Sequence, residues 1–191
     1  MRLIAGEAKG RRLRVPSGLR VRPSGARWRE SAFGILDHRD AISGSLVLDL
    51  FAGTGALGLE ALSRGAERLV AVEKDVEVAR LLESNVAACG YQSRVDVRRA
   101  PAIRALESLS GQSDPFDLVF LDPPYGCGWI DEVLGVLLEQ GHVAQGGRVL
   151  VEHARDEPVE NPEGYQVELQ RRYGDSYMTL LQRGDFVVSG G

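Results

Sequence analysis

The tetrapeptide Asp122-Pro123-Pro124-Tyr125 follows directly on the apolar run Leu118-Val119-Phe120-Leu121. A carboxylate, two prolines and an aromatic ring in that order suit chemistry on a flat, weakly nucleophilic amine. The lone pair of such an amine is delocalised into its ring, so catalysis must place the nitrogen and favour the pyramidal geometry that frees it. Asp122 can accept one N–H and the carbonyl of Pro123 the other. Two converging acceptors stabilise positive charge as it develops on nitrogen. The prolines fix the loop so that this carbonyl keeps its direction. Tyr125 supplies a face on which a base turned out of its stack can rest. Taken alone, the motif also reads as a rigid turn after a strand.

Two further features set it in a ligand site. The first is Val47-Leu48-Asp49-Leu50-Phe51-Ala52-Gly53-Thr54-Gly55-Ala56-Leu57-Gly58, an apolar run that breaks into glycines and resumes as a helix former. It reads as a buried strand, a tight turn and a helix start, the first unit of a doubly wound α/β sheet. Gly53 and Gly55 permit positive φ and close approach of a ligand to the turn. The second is Glu73, which ends the run Leu69-Val70-Ala71-Val72 and lies 20 residues beyond Gly53. In a nucleotide-binding βαβ unit, an acidic residue there accepts hydrogen bonds from ribose hydroxyls. Together these features resemble the class I S-adenosylmethionine (SAM) methyltransferases, in the branch that methylates exocyclic amines. Two glycines in tight register suit SAM, which has no pyrophosphate to cradle. Asp49 reads either as a turn-capping carboxylate or as a residue near the amino-acid end of the cofactor, acting directly or through the loop amides.

The elements that must hold these residues follow from periodicity and punctuation. Residues 2–15 read as two short strands around Gly6–Gly10, a hairpin. Breaks are expected at Pro16-Ser17-Gly18 and Arg22-Pro23-Ser24-Gly25, then a helix over 26–36 with Trp28, Ala32, Phe33, Ile35 and Leu36 on one face. Strands are expected at 46–50, 69–73, 95–98, 118–121 and 149–152, the last introduced by Gly146-Gly147. Helices are expected at 56–63, at 76–89 between an Asp75 N-cap and a Gly90 stop, near Pro101, and at 130–139. The tail changes period, and 165–173 with 177–183 read as two strands around Gly174-Asp175. The architecture implied is a Rossmann-like, doubly wound α/β sheet, mostly parallel, with an antiparallel C-terminal edge hairpin and an N-terminal hairpin and helix. Residues 1–40 read as a docking appendage and 41–191 as the catalytic domain.

The chain has 191 residues, 43% of them hydrophobic, enough for a real core. No apolar run approaches the ~20 residues that span a bilayer. The start lacks the apolar core of a signal peptide, which points to the cytoplasm. Cys89 and Cys127 are too isolated for a disulfide framework, and His38, His142 and His153 lack metal-ligand spacing, so no metal is expected. Trp28 and Trp129 read as packing residues. The net charge of −4 conceals an asymmetry. Residues 1–30 hold nine basic residues against Glu7 and Glu30, or +7, which leaves −11 for the rest. A basic arm on an acidic body suits a polyanion; the alternative is a charged edge that discourages aggregation. Arg11, Arg12, Arg14, Arg22 and Arg27 are its candidate RNA contacts.

Arg2-Leu3-Ile4-Ala5-Gly6, Lys9-Gly10-Arg11-Arg12-Leu13, Arg22-Pro23, Arg27, Arg29-Glu30 and Phe33 resemble the RsmD-type family of bacterial 16S rRNA (guanine-N2)-methyltransferases. The residues from Asp49 to Ala66, Val72-Glu73-Lys74-Asp75, Asp122-Pro123-Pro124-Tyr125 and Tyr173-Gly174-Asp175 fit the same pattern, so the resemblance covers nearly the whole chain. It implies a SAM-dependent enzyme, a monomer, acting on one guanine of small-subunit rRNA or its assembly intermediate. It implies Asp122, Pro123 and Tyr125 as catalytic residues and Asp49, Phe51, Gly53, Gly55, Glu73 and Lys74 as cofactor contacts. Two stretches depart from the family: Ser24-Gly25-Ala26 stands for Thr-Thr-Asp, and Ala100-Pro101-Ala102 lacks the Asp that holds the adenine amine. The alternatives are a methyltransferase for another amine, such as adenine or a protein glutamine, and a non-catalytic RNA-binding assembly factor.

Overall fold

The computed structural model describes residues 1–16, 23–111, 114–160 and 162–184. Seven strands form one sheet in the order β3-β2-β1-β4-β5-β7-β6. The first five are β1 (Leu46–Asp49), β2 (Arg68–Val72), β3 (Val95–Arg98), β4 (Phe116–Leu121) and β5 (Val143–Ala154). These pair in parallel. β6 (Tyr165–Tyr173) and β7 (Ser176–Arg183) form the C-terminal hairpin, which docks through β7, antiparallel to β5. The expected mostly parallel sheet with an antiparallel edge is what the chain forms.

Both faces of the sheet are covered, which is why its central strands are apolar throughout. One face packs against α1 (Pro23–His38), α2 (Gly58–Ser63) and α3 (Val76–Cys89), with Phe33, Leu36, Leu59, Leu62 and Leu82 meeting Val47, Leu118 and Phe120. The rings of Phe33 and Phe120 lie 5.8 Å apart. The other face packs against α4 (Ala102–Leu109) and α5 (Trp129–Glu139), with Leu106, Val133 and Leu137 against Leu48, Val119 and Leu121. Helix α3 has the expected ends. The Asp75 side chain accepts from the amides of Glu77 and Val78, and Gly90 stops the helix in the left-handed conformation at φ +78°.

The N-terminal stretch folds back on itself as expected, in a short and irregular hairpin. Leu3 N donates to the Arg11 carbonyl at 3.1 Å, Gly10 N to the Leu3 carbonyl at 2.9 Å and Leu13 N to the Met1 carbonyl at 3.0 Å, around one antiparallel bridge between Arg2 and Arg12. Its turn is anchored on α2. Ile4 N and Ala5 N donate to the buried carboxylate of Glu60 at 2.7 and 3.0 Å, and Ala8 N donates to Ser63 Oγ at 3.0 Å. These donors face α2, so the pairing between the two arms stays short. Gly6 fits because it has no side chain: a Cβ there would lie 1.6 Å from the Ser63 carbonyl oxygen.

Other boundaries shift for simple reasons. α1 begins at Pro23, within the expected break, because a helix start tolerates proline's missing N–H. α2 begins at Gly58 and not at residue 56, since the chain from 53 to 57 is turn. β5 begins at Val143, so Gly146-Gly147 lies inside the strand. The β4–β5 register shifts there, and Gly146 takes φ +71°.

Candidate active site

Strand order reverses around β1, whose neighbours are β2 on one side and β4 on the other. In an open α/β sheet, ligands bind outside the carboxyl ends of the strands at such a switch point. A cleft of about 590 Å³ opens there, lined by Leu50, Phe51, Val72, Glu73, Lys74, Ala100, Ala102, Asp122, Pro123, Pro124 and Tyr125. The ends of β1, β2 and β4 thus bring Phe51, Glu73, Lys74 and the Asp122–Tyr125 loop to one wall. A wider concavity of about 800 Å³ lies at the opposite, amino-terminal ends of the strands, lined by Leu46, Arg68 and Arg94 among others. It holds none of the candidate catalytic, cofactor or RNA-contact residues.

The glycine turn is organised from beneath. Asp49 ends β1, is 1% exposed, and accepts from the Gly58 amide at 3.0 Å. Burial, with Glu73 adding to it, raises its pKa to about 7, against the pull of the Gly58 and Phe51 amides. Gly53 and Gly55 sit at φ +53° and +87°. A Cβ on Gly55 would meet Leu82 Cδ1 at 2.6 Å, whereas one on Gly53 would meet nothing within 4 Å. Both oxygens of Glu73 serve the local backbone: Oε2 accepts from Gly53 N at 3.0 Å and Oε1 from Asp75 N at 2.8 Å. Each retains a further lone pair.

Asp122 follows β4 and is only partly exposed at its surface. Desolvation, then the charges of Glu152 and Asp49, push its carboxyl well above the ordinary range. Tyr125 is 42% exposed and donates its hydroxyl to Glu152 Oε1 at 3.0 Å. Burial and the adjacent Glu152 raise its phenol above the usual value. The glycines that follow are held by Glu157, which accepts from Gly126 N at 2.7 Å and Gly128 N at 3.3 Å. Glu152 and Glu157 went unnoticed in the sequence because they belong to a strand and a loop with no motif of their own. The position of Glu152 opposite Asp122 becomes visible only once β4 and β5 are paired.

Arg11, Arg12 and Arg14 are exposed around the buried Leu13, and Arg27 is exposed on α1; Arg22 lies outside the described residues. Asn85, fully buried on α3, ties this arm to the cofactor-type turn. Its Oδ1 accepts from Arg14 N at 2.7 Å, and its Nδ2 donates to the carbonyls of Arg14 and Thr54 at 3.0 and 2.9 Å. His142 and His153 are buried in packing roles, and His153 stacks on Tyr177 with ring centroids 5.6 Å apart. No group of three metal-ligating side chains occurs among the described residues. Among them no helix is long and apolar enough to cross a membrane.

A doubly wound sheet with an acidic residue after β2 and an Asp-Pro-Pro-Tyr loop after β4, both at the switch point, defines a Rossmann-like methyltransferase. The chain belongs to the RsmD-type family: the model described as Conserved hypothetical protein 95 matches residues 1–182. It is 33% identical over 183 residues to Ribosomal RNA small subunit methyltransferase D of Haemophilus influenzae, covering 95% of this chain and 93% of that protein. The protein of the same name from Escherichia coli K12 is 32% identical over 184 residues, 96% of this chain and 90% of its own. Among solved structures, Escherichia coli yhhF, described as a candidate methyltransferase, superposes with a TM-score of 0.85 at 33% identity. That match covers 96% of this chain and 98% of the other.

Proposed function

We propose that this protein transfers a methyl group from SAM to the N2 amine of a guanine in small-subunit rRNA. The observation that carries this reading is the single cleft holding Glu73 and the Asp122–Tyr125 loop. The similarity to proteins named as small-subunit rRNA methyltransferases supplies the substrate class.

The residues present fit the cofactor. Phe51, Val72, Ala100 and Ala102 form an apolar wall of the cleft, suited to a flat base. Glu73 stands at its edge with acceptor capacity for ribose hydroxyls, and Lys74 beside it adds a cation. Asp49 acts through the loop, orienting the Gly58 amide from below. When bound, SAM supplies a methyl carbon attached to a positively charged sulfur.

The acceptor base stacks on Tyr125, whose ring is steadied through its hydroxyl by Glu152. Asp122 and the Pro123 carbonyl each accept one N–H of the amine, which holds the nitrogen in line and frees its lone pair. As the nitrogen takes the methyl group it becomes cationic. The same two acceptors stabilise that charge, and Asp122, with its raised proton affinity, takes the proton the nitrogen sheds. The basic arm, with Arg11, Arg12, Arg14, Arg22 and Arg27, grips RNA phosphates and positions the strand.

Mass spectrometry of small-subunit rRNA nucleosides, from cells with and without the gene, tests the reading. N2-methylguanosine should fall by one residue per particle on deletion and return with the wild-type gene. An unchanged nucleoside content would overturn it.

A further inference from the structure

β4 and β5 run parallel and in register from Leu118 beside Arg148 to Leu121 beside Val151. Asp122 is the next position beyond the end of β4, and Glu152 is the next on β5, which continues to Ala154. Neighbouring strands lie about 4.8 Å apart, and side chains level with each other share a face. Tyr125 closes the group by donating its hydroxyl to Glu152 Oε1 at 3.0 Å. That bond orients the carboxylate. With Asp122 ionised, the form that methyl transfer requires, one corner of the cleft mouth is built of acceptors: two carboxylates and the Pro123 carbonyl.

A base never presents its amine alone, because the neighbouring ring nitrogen comes with it. In adenine and cytosine that ring nitrogen is a bare acceptor. In guanine it carries a hydrogen, so N1–H and the N2 amine form a continuous edge of donors. Against paired carboxylates, a bare ring nitrogen sets lone pair against lone pair, whereas a donor edge relieves the repulsion between the two charges. Resting on the methyl-transfer reading above, we infer that Glu152 is a specificity-determining residue: it accepts the ring N1–H of guanine while Asp122 and Pro123 hold the amine. The corner thereby rejects adenine and cytosine, although each offers an exocyclic amine.

2-Aminopurine is the discriminating probe, since it keeps the exocyclic 2-amine but has a bare N1. Small-subunit particles are reconstituted with rRNA carrying guanine or 2-aminopurine at the methylated position, and single-turnover rates are compared. Wild-type protein should favour guanine by ~10²-fold or more, the scale on which a site built for a donor rejects an analogue lacking it. In Glu152→Gln the amide can turn its N–H₂ toward a bare N1, so the ratio should narrow to within ~10-fold with SAM affinity and melting temperature kept. A residue that only supported Tyr125 would lower both rates together and leave the ratio alone. If Glu152→Gln melts early, Glu152→Asp serves: it keeps the acceptor but withdraws it by one methylene, so the guanine rate should fall more than the 2-aminopurine rate. Guanine methylated with a ratio indifferent to residue 152 would overturn the Glu152 assignment alone. Absence of N2-methylguanosine with wild-type protein would overturn the functional reading as well.

Discussion

Asp122 owes its chemistry to the place where β4 stops. One residue earlier it would be a core position, as Leu121 is; two later it would be solvated, as Pro124 is. At the boundary it is desolvated and faces Glu152 and Asp49, so it holds a proton at a pH where a surface aspartate has lost it. Only the ionised form can accept an N–H at both oxygens. Methyl transfer in single turnover should therefore rise with pH through a range above that of ordinary carboxylates, then level off. The profile belongs to the Asp122–Glu152 pair and not to one residue. Asp122→Asn should flatten the rise. Asp122→Ala should slow transfer by ~10²-fold or more, the scale for one pre-organised polar contact, with SAM affinity nearly intact. Calorimetry beside single-turnover assays checks both halves, and an unaltered rate would remove Asp122 from the mechanism. Glu73 has a double task by comparison, because the carboxylate proposed to meet the ribose also holds the amides of Gly53 and Asp75.

At the scale of elements, legibility followed locality. α3 could be read to the residue, since its start and stop are side-chain and backbone events within a few positions of its ends. The glycine turn and the Asp-Pro-Pro-Tyr loop are equally local, and the sequence placed both at the mouth of the sheet. What was misread depends on partners far along the chain. The stretch 2–15 folds back as its alternation implies, but its pairing is cut short because three of its amides are claimed by Glu60 and Ser63, more than 50 residues away. Gly146-Gly147 reads as a strand start. Beside β4 it is a bulge, and Gly147 has no room for a Cβ, with the Ala144 carbonyl oxygen at 2.8 Å. Glu152 shows the same dependence within the site, since nothing near it in sequence singles it out. Register against Asp122 does.

Across the whole molecule, positive charge gathers at the start of the chain while the remainder is acidic. If the arm grips phosphates, Arg12→Ala combined with Arg14→Ala should weaken RNA binding and lower its log–log salt slope by roughly one to two units. SAM affinity of the free protein should stay as it was. Binding measured at several salt concentrations decides the matter, since an unaltered slope would mean that RNA is held elsewhere. Asn85 gives this arrangement a thermodynamic side. One buried amide is hydrogen-bonded both to the backbone of Arg14 and to the carbonyl of Thr54 in the glycine turn, so the proposed RNA arm and the proposed SAM turn share a contact. If RNA on the arm steadies the turn, it must tighten SAM by some factor, and SAM must tighten RNA by the same factor. A coupling on the order of 5-fold is expected in wild-type protein from titrations of SAM with and without saturating RNA. Asn85→Asp keeps the acceptor for Arg14 N–H but loses both donated bonds, and it should bring the ratio of the two affinities toward one. A ratio of one in the wild type would dispose of the coupling. If it holds, demethylated cofactor and finished RNA loosen each other's grip as they leave, and turnover is paced by a joint departure rather than by two separate ones.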